Sequence, residues 1–356
     1  MAREKIISQD STGPDDEQFN IALRPQTLGQ CIGMGELLEK LRISIAAAKG
    51  RDEPMEHVLL HGPPGLGKTT LAYVIAHEMG TNIKVTSGPA LTRPSDLIGI
   101  LTNLERRDVL FIDEIHRLSP AVEEYIYPAM EDFKVDFVVD SGMHSRTINL
   151  PLKPFTLIGA TTRAGLLSPP LRTRFGITHH LDFWSVEDLL RRCRLSAQML
   201  KLDSDGPALD LLARRARGTP RIANRLLRRC RDYAQVKGTG RLTVECVQLA
   251  LKLEGIDELG LDELDRRFLR VIIEVYKGGP VGIEAVAATL GDETDTLVDV
   301  VEPYLLQVGM LARTRKGRQA TIKAYEHLKV AYVPREDEGS LFDQDAPQAG
   351  TSGNIQ

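Results

Sequence analysis

Short apolar runs alternate with helix-spaced apolar residues through the first half of the chain. The runs predict apolar strands at residues 58–61, 83–86, 109–112, 156–160 and 177–183. Between them, apolar residues recur three or four positions apart, as they do on one face of a helix. Strands that alternate with helices are typical of a parallel sheet covered by helices on both faces. The first half is therefore predicted to be an α/β domain.

One segment interrupts this alternation. Lys134–Val139 and Arg146–Leu150 are strand-like and are joined across residues 140–142, which predicts a projecting β-hairpin with Phe137–Val139 exposed at its tip. An exposed apolar hairpin is typical of a partner-binding surface. Packing of the hairpin on its own domain would explain the same pattern, and the sequence leaves both interpretations open.

From about residue 186 the apolar spacing becomes helical. Residues 186–254 predict a small all-helical domain, and the following domain combines three amphipathic helices, a tight turn at Gly291–Asp292 and two strand-like segments around Lys316–Gly317. This pattern is typical of a helix-turn-helix with a β-hairpin wing. The wing is basic, with Arg313, Arg315, Lys316 and Arg318. Such a hairpin either contacts DNA or is a solvated turn.

The length of the chain predicts several domains, because 356 residues are more than a domain with one hydrophobic core typically contains. The patterns predict a flexible segment over 1–20, a large α/β domain over 21–184 with the hairpin at about 134–150, a small helical domain over 185–255, a winged-helix domain over 256–333 and a disordered acidic tail over 334–356.

Composition narrows the class of protein. The net charge of -4 gives no global attraction to nucleic acid, so any such contact must come from a local basic patch. Four cysteines without Cys-x-x-Cys spacing argue against a zinc site and a disulfide framework alike. No stretch approaches the apolar length of a membrane span, and the N-terminus has no apolar signal core. We therefore expect a cytoplasmic protein without a membrane partner.

The segment Gly62–Thr70 has the spacing of a phosphate-binding loop, namely Gly, any four residues, Gly, Lys and Ser/Thr. It lies between a predicted strand and a helix that Gly80 can end. In such loops backbone amides converge on phosphate oxygens, and here Lys68 would reach the outer phosphates while the Thr69 hydroxyl ligates Mg²⁺. Nucleotide contacts are accordingly predicted for Gly65, Leu66, Gly67, Lys68, Thr69 and Thr70. The alternative is a glycine-rich turn that binds no nucleotide.

A second signal is the apolar run Val109–Ile112, which ends in Asp113 and Glu114. The first acid at such a strand end usually holds the Mg²⁺ shell, and the second can polarise the attacking water. Acidic residues after a strand are also common in solvated turns. Because they follow a phosphate-binding loop here, they predict hydrolysis of a nucleoside triphosphate.

Together these features resemble the AAA+ ATPases and, within them, the bacterial RuvB family of Holliday junction branch-migration motors. The resemblance covers about residues 21–328, and its most specific parts are Gly62–Thr70, Asp108–Leu118, Gly159–Gly165 and Arg217–Arg225. It implies an α/β fold with an AAA+ parallel-sheet P-loop domain, a small all-helical lid and a C-terminal winged helix. It also implies ATP and Mg²⁺ as cofactors.

The resemblance implies roles for further residues. Thr162 matches the sensor beside the γ-phosphate, Arg174 the arginine finger that enters the neighbouring subunit's site, and Arg221 the second sensor on the lid. A threonine that caps the next turn and a surface salt bridge are the alternatives for Thr162 and Arg174. Further nucleotide contacts are implied at Leu23, Arg24, Glu131, Asp132, Phe133 and Trp184.

Two positions depart from the family pattern. The family usually has Asp at position 173, where this chain has Thr173, and Tyr at position 184, where this chain has Trp184. Trp184 can still pack on the base. The departures concern details of the site rather than the fold.

A finger supplied by a neighbour implies a ring, which in relatives is a homohexamer around double-stranded DNA. The resemblance then implies that Arg313 and Arg318 contact the DNA backbone, and that the hairpin docks RuvA, the partner that binds Holliday junctions. RuvC, the resolvase, is the further implied partner. The implied activity is ATP-dependent branch migration in homologous recombination and DNA repair.

Two other functions remain as alternatives. A clamp-loading ATPase shares the sheet and the lid but ends in a helical collar, whereas the terminal pattern here suggests a winged helix. A nucleotide-gated replication initiator has DNA-binding helices but would recognise a DNA sequence and hydrolyse ATP slowly.

Overall fold

A computed structural model describes residue 19 and residues 21–139 and 146–332 of the chain. These residues form two compact units. The first extends to Leu264 and includes Val298–Pro303, and the second comprises Asp265–Leu297 and the residues from Tyr304 onwards. Apart from residue 19, the segments predicted to be flexible or disordered, 1–20 and 334–356, lie outside the described residues.

The first unit contains a five-stranded sheet with the order β2-β3-β6-β1-β7, in which all neighbouring strands are parallel. Its strands are β1 (Val58–His61), β2 (Ile83–Ser87), β3 (Val109–Asp113), β6 (Thr156–Thr161) and β7 (Ile177–His180). The prediction of a strand over 177–183 was wrong at its end. The amide of Leu181 still donates to the His61 carbonyl (2.7 Å), but the Trp184 amide donates to Gly218 (2.8 Å), outside the sheet.

Helices cover both faces of this sheet. They are α1 (Gly35–Arg51), α2 (Lys68–Met79), α3 (Pro94–Leu101), α4 (Pro120–Glu131) and the short α5 (Pro169–Arg172). Alternate strand residues enter two different cores: Leu60 and Phe111 pack with α1 and α2, whereas Leu59 and Leu110 pack with α3 and α4. The helix α2 ends where Gly80 adopts a left-handed conformation (φ 69°), as its sequence indicates.

The hairpin consists of β4 (Lys134–Val139) and β5 (Arg146–Pro151), which pair antiparallel. At its base Val135 is buried in the core beside α4, whereas Ile148 further along is exposed. The predicted exposed tip at Phe137–Val139 lies outside the described side chains. The base therefore packs on its own domain, while β5 presents an apolar side chain to solvent.

Four helices after the sheet form a separate core within the first unit. They are α6 (Val186–Met199), α7 (Gly206–Arg215), α8 (Pro220–Lys237) and α9 (Val244–Leu253). Their buried residues include Leu189, Cys193, Leu209, Leu226 and Leu227, which the helical spacing identifies as one face of each helix. This arrangement is a small helical lid.

The remaining elements form a winged helix. They are α10 (Glu263–Arg270), which continues as a π-helical turn over Val271–Val275, α11 (Ile283–Leu290), α12 (Thr294–Thr296), a second π-helical turn over Leu297–Val301, α13 (Glu302–Gln307), β8 (Leu311–Thr314), β9 (Gly317–Ala320) and α14 (Ile322–Leu328). In the second unit, β8 and β9 pair antiparallel, and Val281 forms a bridge to Arg318. Within the described part of the chain, no helix combines the length and apolar character that a bilayer crossing requires.

Phe111 lies in β3, an interior strand of the sheet, and its side chain is 0% exposed. We expect Phe111→Ala to lower the free energy of unfolding by about 3–5 kcal/mol, because it removes buried apolar surface and leaves a cavity. Urea denaturation followed by circular dichroism measures this loss. Ile43→Ala, at an exposed position of α1, is the matched control and should change stability little. A loss below 1 kcal/mol for Phe111→Ala would contradict this account of the core.

Candidate active site

The candidate site forms where three neighbouring strands end. β3, β6 and β1 are adjacent and parallel, so their carboxyl ends meet at one edge of the sheet. β3 ends at Asp113, β6 ends at Thr161, and β1 leads into the loop that begins at Gly62. This edge is where open α/β sheets bind ligands, because the loops leave a crevice there.

The loop between β1 and α2 requires glycine at three positions. Gly62, Gly65 and Gly67 all have positive φ angles, which disfavour other residues. Two of these positions also have no room for a side chain. A Cβ on Gly62 would overlap the Leu181 carbonyl oxygen, and a Cβ on Gly65 would lie 2.8 Å from Thr219 Cγ2. The loop can therefore present its backbone amides to a phosphate chain at the start of α2.

Lys68 is held inside this loop. Its Nζ donates to the carbonyl oxygens of Gly62 (2.8 Å) and Pro63 (3.0 Å), and the side chain is buried. Burial lowers the pKa of Lys68 to about 8, while the charges of Asp113 and Glu114 act in the opposite direction. A negatively charged ligand in the loop would favour the ammonium form.

The two acids that follow β3 have different environments. The Glu114 amide donates to Asp113 Oδ1 (3.0 Å), and Glu114 itself has a left-handed backbone conformation (φ 47°). Burial raises the pKa of Glu114, and the neighbouring Asp113 raises it further, whereas Lys68 lowers it. A carboxylate with a raised pKa is better able to accept a proton from water.

Side chains at the end of β6 contact this second acid. The Thr162 hydroxyl lies 3.4 Å from Glu114 Oε2, and the buried Thr161 hydroxyl lies 2.8 Å from His116 Nδ1. His116 Nδ1 is in turn 3.1 Å from Glu114 Oε2. His116 was not predicted as a site residue, because only the turn after β3 brings its side chain back to the acid.

The lid contributes a second wall to the cavity. Pro220, Arg221 and Asn224 line it from the first turns of α8, opposite Gly65 and the rest of the loop. A Cβ on Gly65 would lie 3.4 Å from the Cβ of Arg221, so the lid and the loop are in close contact. Arg221 therefore lies where a lid residue can contact a ligand held by the loop.

The other end of the cavity is more apolar. Arg24, Cys31, Ile32, Met34 and Trp184 line it. Trp184 packs against both the sheet core and the lid core, and its buried Nε1 has no hydrogen-bond partner within the described residues.

Leu23 does not line the cavity, but its carbonyl accepts a hydrogen bond from Arg192, which does. Arg192 and Asn224 were not predicted as site residues, although both line the cavity. Nothing in their local pattern distinguishes them from other polar residues on lid helices.

Four of the predicted site residues lie away from this cavity and close to one another. Arg174 contacts Glu131 (3.1 Å), stacks on the Tyr127 ring (4.6 Å to its centroid) and donates to the Pro170 carbonyl (2.6 Å). Asp132 and Phe133 follow Glu131 directly. None of the four lines the cavity of its own chain.

The basic wing lies in the second unit. Arg313 and Arg318 are directly opposite each other in the β8–β9 pair, so both side chains project from one face of the hairpin. The turn between them is closed by Thr314, whose hydroxyl donates to the Gly317 carbonyl (2.9 Å). Arg313 is exposed and Arg318 half-buried.

The cavity fits a magnesium–nucleotide complex. The glycine loop and Lys68 suit a phosphate chain, and the apolar end suits a flat base. The buried Trp184 Nε1, which has no hydrogen-bond partner within the described residues, is available as a donor to a ligand. Within the described residues, no group of three or more His, Cys, Asp or Glu could hold a metal alone. Thr69 and Asp113 would instead hold Mg²⁺ together with phosphate and water oxygens.

Comparisons with known families match nearly the whole described chain. Residues 23–181 match the Holliday junction DNA helicase RuvB P-loop domain, residues 184–257 the RuvB AAA lid domain and residues 258–329 the RuvB C-terminal winged helix domain.

Individual relatives agree with these matches. The Holliday junction branch migration complex subunit RuvB of Desulfosudis oleivorans is 57% identical over 326 residues, which cover 92% of this chain and 95% of the relative. The subunit of the same description from Kosmotoga olearia is 56% identical over 316 residues, which cover 89% of this chain and 92% of that protein.

Solved structures give the same result. Thermotoga maritima RuvB, described as a Holliday junction branch migration motor, is 52% identical, with a TM-score of 0.80 over 88% of this chain and 100% of that chain. A mutant of the same RuvB gives a TM-score of 0.82 at 52% identity, covering 88% and 99% of the two chains. These matches support the motor interpretation over the clamp-loading and initiator alternatives, and they confirm the AAA+ fold with its lid and winged helix. The chain belongs to the RuvB family of AAA+ ATPases, which use ATP with Mg²⁺.

Proposed function

We propose that this chain is an ATP-driven DNA translocase that catalyses branch migration of Holliday junctions during homologous recombination and DNA repair. One observation carries the proposal: a chain whose three regions all match RuvB domains also brings its glycine loop, Lys68, Asp113 and Glu114 together around one cavity at the edge of its sheet. A motor needs this combination of nucleotide site, lid and DNA-binding domain.

Each group at the sheet edge has a separate task. Lys68 would contact the outer phosphates, and Thr69 and Asp113 would hold Mg²⁺, which would supply charge neutralisation during phosphoryl transfer. Glu114 accepts a proton from the attacking water, since its raised pKa makes it a better base than an exposed carboxylate. Thr162, beside Glu114, contacts the γ-phosphate as the first sensor.

The residues outside the cavity act on a neighbouring subunit. Arg174 and Glu131–Phe133 form one cluster that does not line its own chain's cavity. In a homohexamer this cluster completes the next subunit's site, with Arg174 as the arginine finger. Ring assembly is then a condition for rapid hydrolysis.

Movement comes from the lid. Arg221 lies on α8 and faces the loop across the cavity, so loss of the γ-phosphate removes a contact that holds the lid against the sheet. Arg24 and Trp184 hold the base at the opposite end, and Leu23 supports this end through the hydrogen bond that its carbonyl accepts from Arg192. Trp184 packs against both the sheet core and the lid core. The hinge for rotation of the lid therefore lies in the backbone around this residue.

The wing transfers this movement to double-stranded DNA. Arg313 and Arg318 project from one face of the hairpin, so both can contact phosphates of one backbone. Phosphate contacts carry no sequence information, which suits a motor that moves along any DNA.

Two proteins complete the proposed assembly. The β4–β5 hairpin, with its exposed Ile148, docks the junction-binding protein RuvA, and the resolvase RuvC acts on the same junctions. We place this assembly in the cytoplasm, where bacterial DNA is repaired.

A four-way-junction assay tests the proposed function. We expect the full-length protein to dissociate a synthetic junction with homologous arms when ATP, Mg²⁺ and the junction-binding partner are present. Glu114→Gln should bind ATP in a filter-binding assay as the unchanged protein does, but lower turnover by about 10²- to 10⁴-fold because the water loses its base. ATP hydrolysis without junction dissociation would reject the translocase function. Hydrolysis stimulated by one defined duplex sequence alone would favour the initiator alternative.

Mixing two inactive variants tests the shared site. Arg174→Ala should lower hydrolysis by about 10³- to 10⁵-fold, as loss of a finger does in other nucleotide hydrolases. Mixed with Lys68→Ala, it should regain part of the activity, because one subunit supplies the loop and the other the finger. The control is Lys68→Ala mixed with the Lys68→Ala, Arg174→Ala double variant, which cannot form a complete site. Equal activity in the two mixtures would argue against a finger in trans.

The salt dependence of DNA binding tests the wing. Replacing Arg313 and Arg318 together by Ala should weaken binding to duplexes of any sequence. The slope of log affinity against log salt should flatten by about two units, since each phosphate contact contributes about 0.9. Arg42→Ala with Arg51→Ala makes the same charge change on exposed positions of α1 and should leave the slope unchanged. An unaltered slope for the wing variant would contradict this placement of the DNA.

A further inference from the structure

A histidine after the second acid connects that acid to the neighbouring strand. β3 ends at Asp113, and Glu114 then adopts a left-handed conformation (φ 47°, ψ 45°), which is unusual for a residue with a side chain. A short turn follows over Ile115–Arg117, in which the Arg117 amide donates to the Glu114 carbonyl (2.8 Å). This turn directs the side chain of His116 back towards the Glu114 carboxylate.

One ring nitrogen of His116 makes both contacts. Nδ1 lies 3.1 Å from Glu114 Oε2 and 2.8 Å from Thr161 Oγ1. The His116 side chain is 8% exposed, and Thr161 is 0% exposed. The Thr161 hydroxyl also accepts a hydrogen bond from the Arg163 amide (3.0 Å), which fixes it within the sensor segment. Glu114, His116 and the end of β6 are therefore linked through direct contacts.

The chemistry of the carboxylate decides which atom donates. An ionised carboxylate can only accept hydrogen bonds, so Nδ1 must carry a proton when it faces ionised Glu114. A donor at this position therefore fixes the Glu114 carboxylate relative to the His116 ring.

We propose that His116 is a positioning residue that orients Glu114 for water activation, and that it couples this acid to the sensor strand through Thr161. The proposal rests on the role assigned to Glu114 under the proposed function. Because the same nitrogen contacts Thr161, a shift of β6 on nucleotide binding changes the orientation of Glu114. His116 has no contact with the reacting atoms in this role.

Three substitutions separate this role from a structural one. His116→Ala removes the donor, His116→Asn keeps an amide nitrogen at the position of Nδ1, and His116→Gln places the same amide at the position of Nε2. We expect kcat for ATP to fall by about 10- to 100-fold in the Ala and Gln variants, as when a supporting partner of a site is lost. The Asn variant should keep most of the activity, and KM should change little in all three.

Rescue by the Asn variant is the readout that a packing role would not give. Asn and Gln both carry an amide, but only Asn places its nitrogen at the position of Nδ1. His77→Ala, at an exposed position of α2, is the control for loss of an imidazole and should leave kcat unchanged.

Each outcome has one meaning. Unchanged kcat in His116→Ala overturns the proposal. Equal losses in the Asn and Gln variants overturn it as well, because they indicate a packing role. If Glu114→Gln retains hydrolysis, the assigned role of Glu114 fails and this proposal with it. If Glu114→Gln is inactive while His116→Ala is normal, only the proposal for His116 fails.

Discussion

Parallel alignment of three neighbouring strands is the constraint on which the rest of the site depends. His61 lies beside Thr161 in the pairing of β1 with β6, and Ile112 lies beside Gly159 in the pairing of β3 with β6. This register places the phosphate loop, the sensor segment and the two acids next to one another. Gly159 shows how tight the arrangement is, because a Cβ there would lie 3.0 Å from side-chain atoms of both Ile115 and Phe175. The middle strand can thus approach the turn that carries Glu114 only because it lacks a side chain at this position.

Close packing also connects the lid to the loop. Gly218 has a positive φ angle, and a Cβ on it would lie 2.7 Å from the Cβ of Phe183. Gly65 makes a similarly close approach to Thr219. The lid and the loop therefore lie against each other beside the cavity that both of them line. In the proposed mechanism, a change in the phosphates held by the loop reaches the lid through this direct contact.

Much of this architecture could be predicted from the sequence, and the reasons are local. The buried strands are continuous apolar runs, the lid helices have regular apolar spacing, and the Gly62–Thr70 segment combines glycines that only a tight loop requires. Asp113 and Glu114 were predictable because they directly follow a buried strand. The C-terminal end of β7 could not be predicted from the sequence. Leu181 follows the last residue of the strand, yet it is apolar and its amide still donates to the His61 carbonyl.

Residues that join the site through tertiary structure could not be predicted in this way. Arg192 and Asn224 lie on lid helices among many other polar residues, and only the folded lid shows that they face the cavity. His116 is one polar residue in a turn until that turn closes on Glu114. The roles of Arg174 and Glu131–Phe133 depend on a second copy of the chain, so their assignment came from the family resemblance and remains a proposal.

Trp184 has a further consequence, because the chain contains one tryptophan and the fold places it between the sheet core and the lid core. Indole fluorescence excited selectively in this protein thus originates from a single position at the lid boundary, so rotation of the lid has an intrinsic optical signal that needs no attached dye.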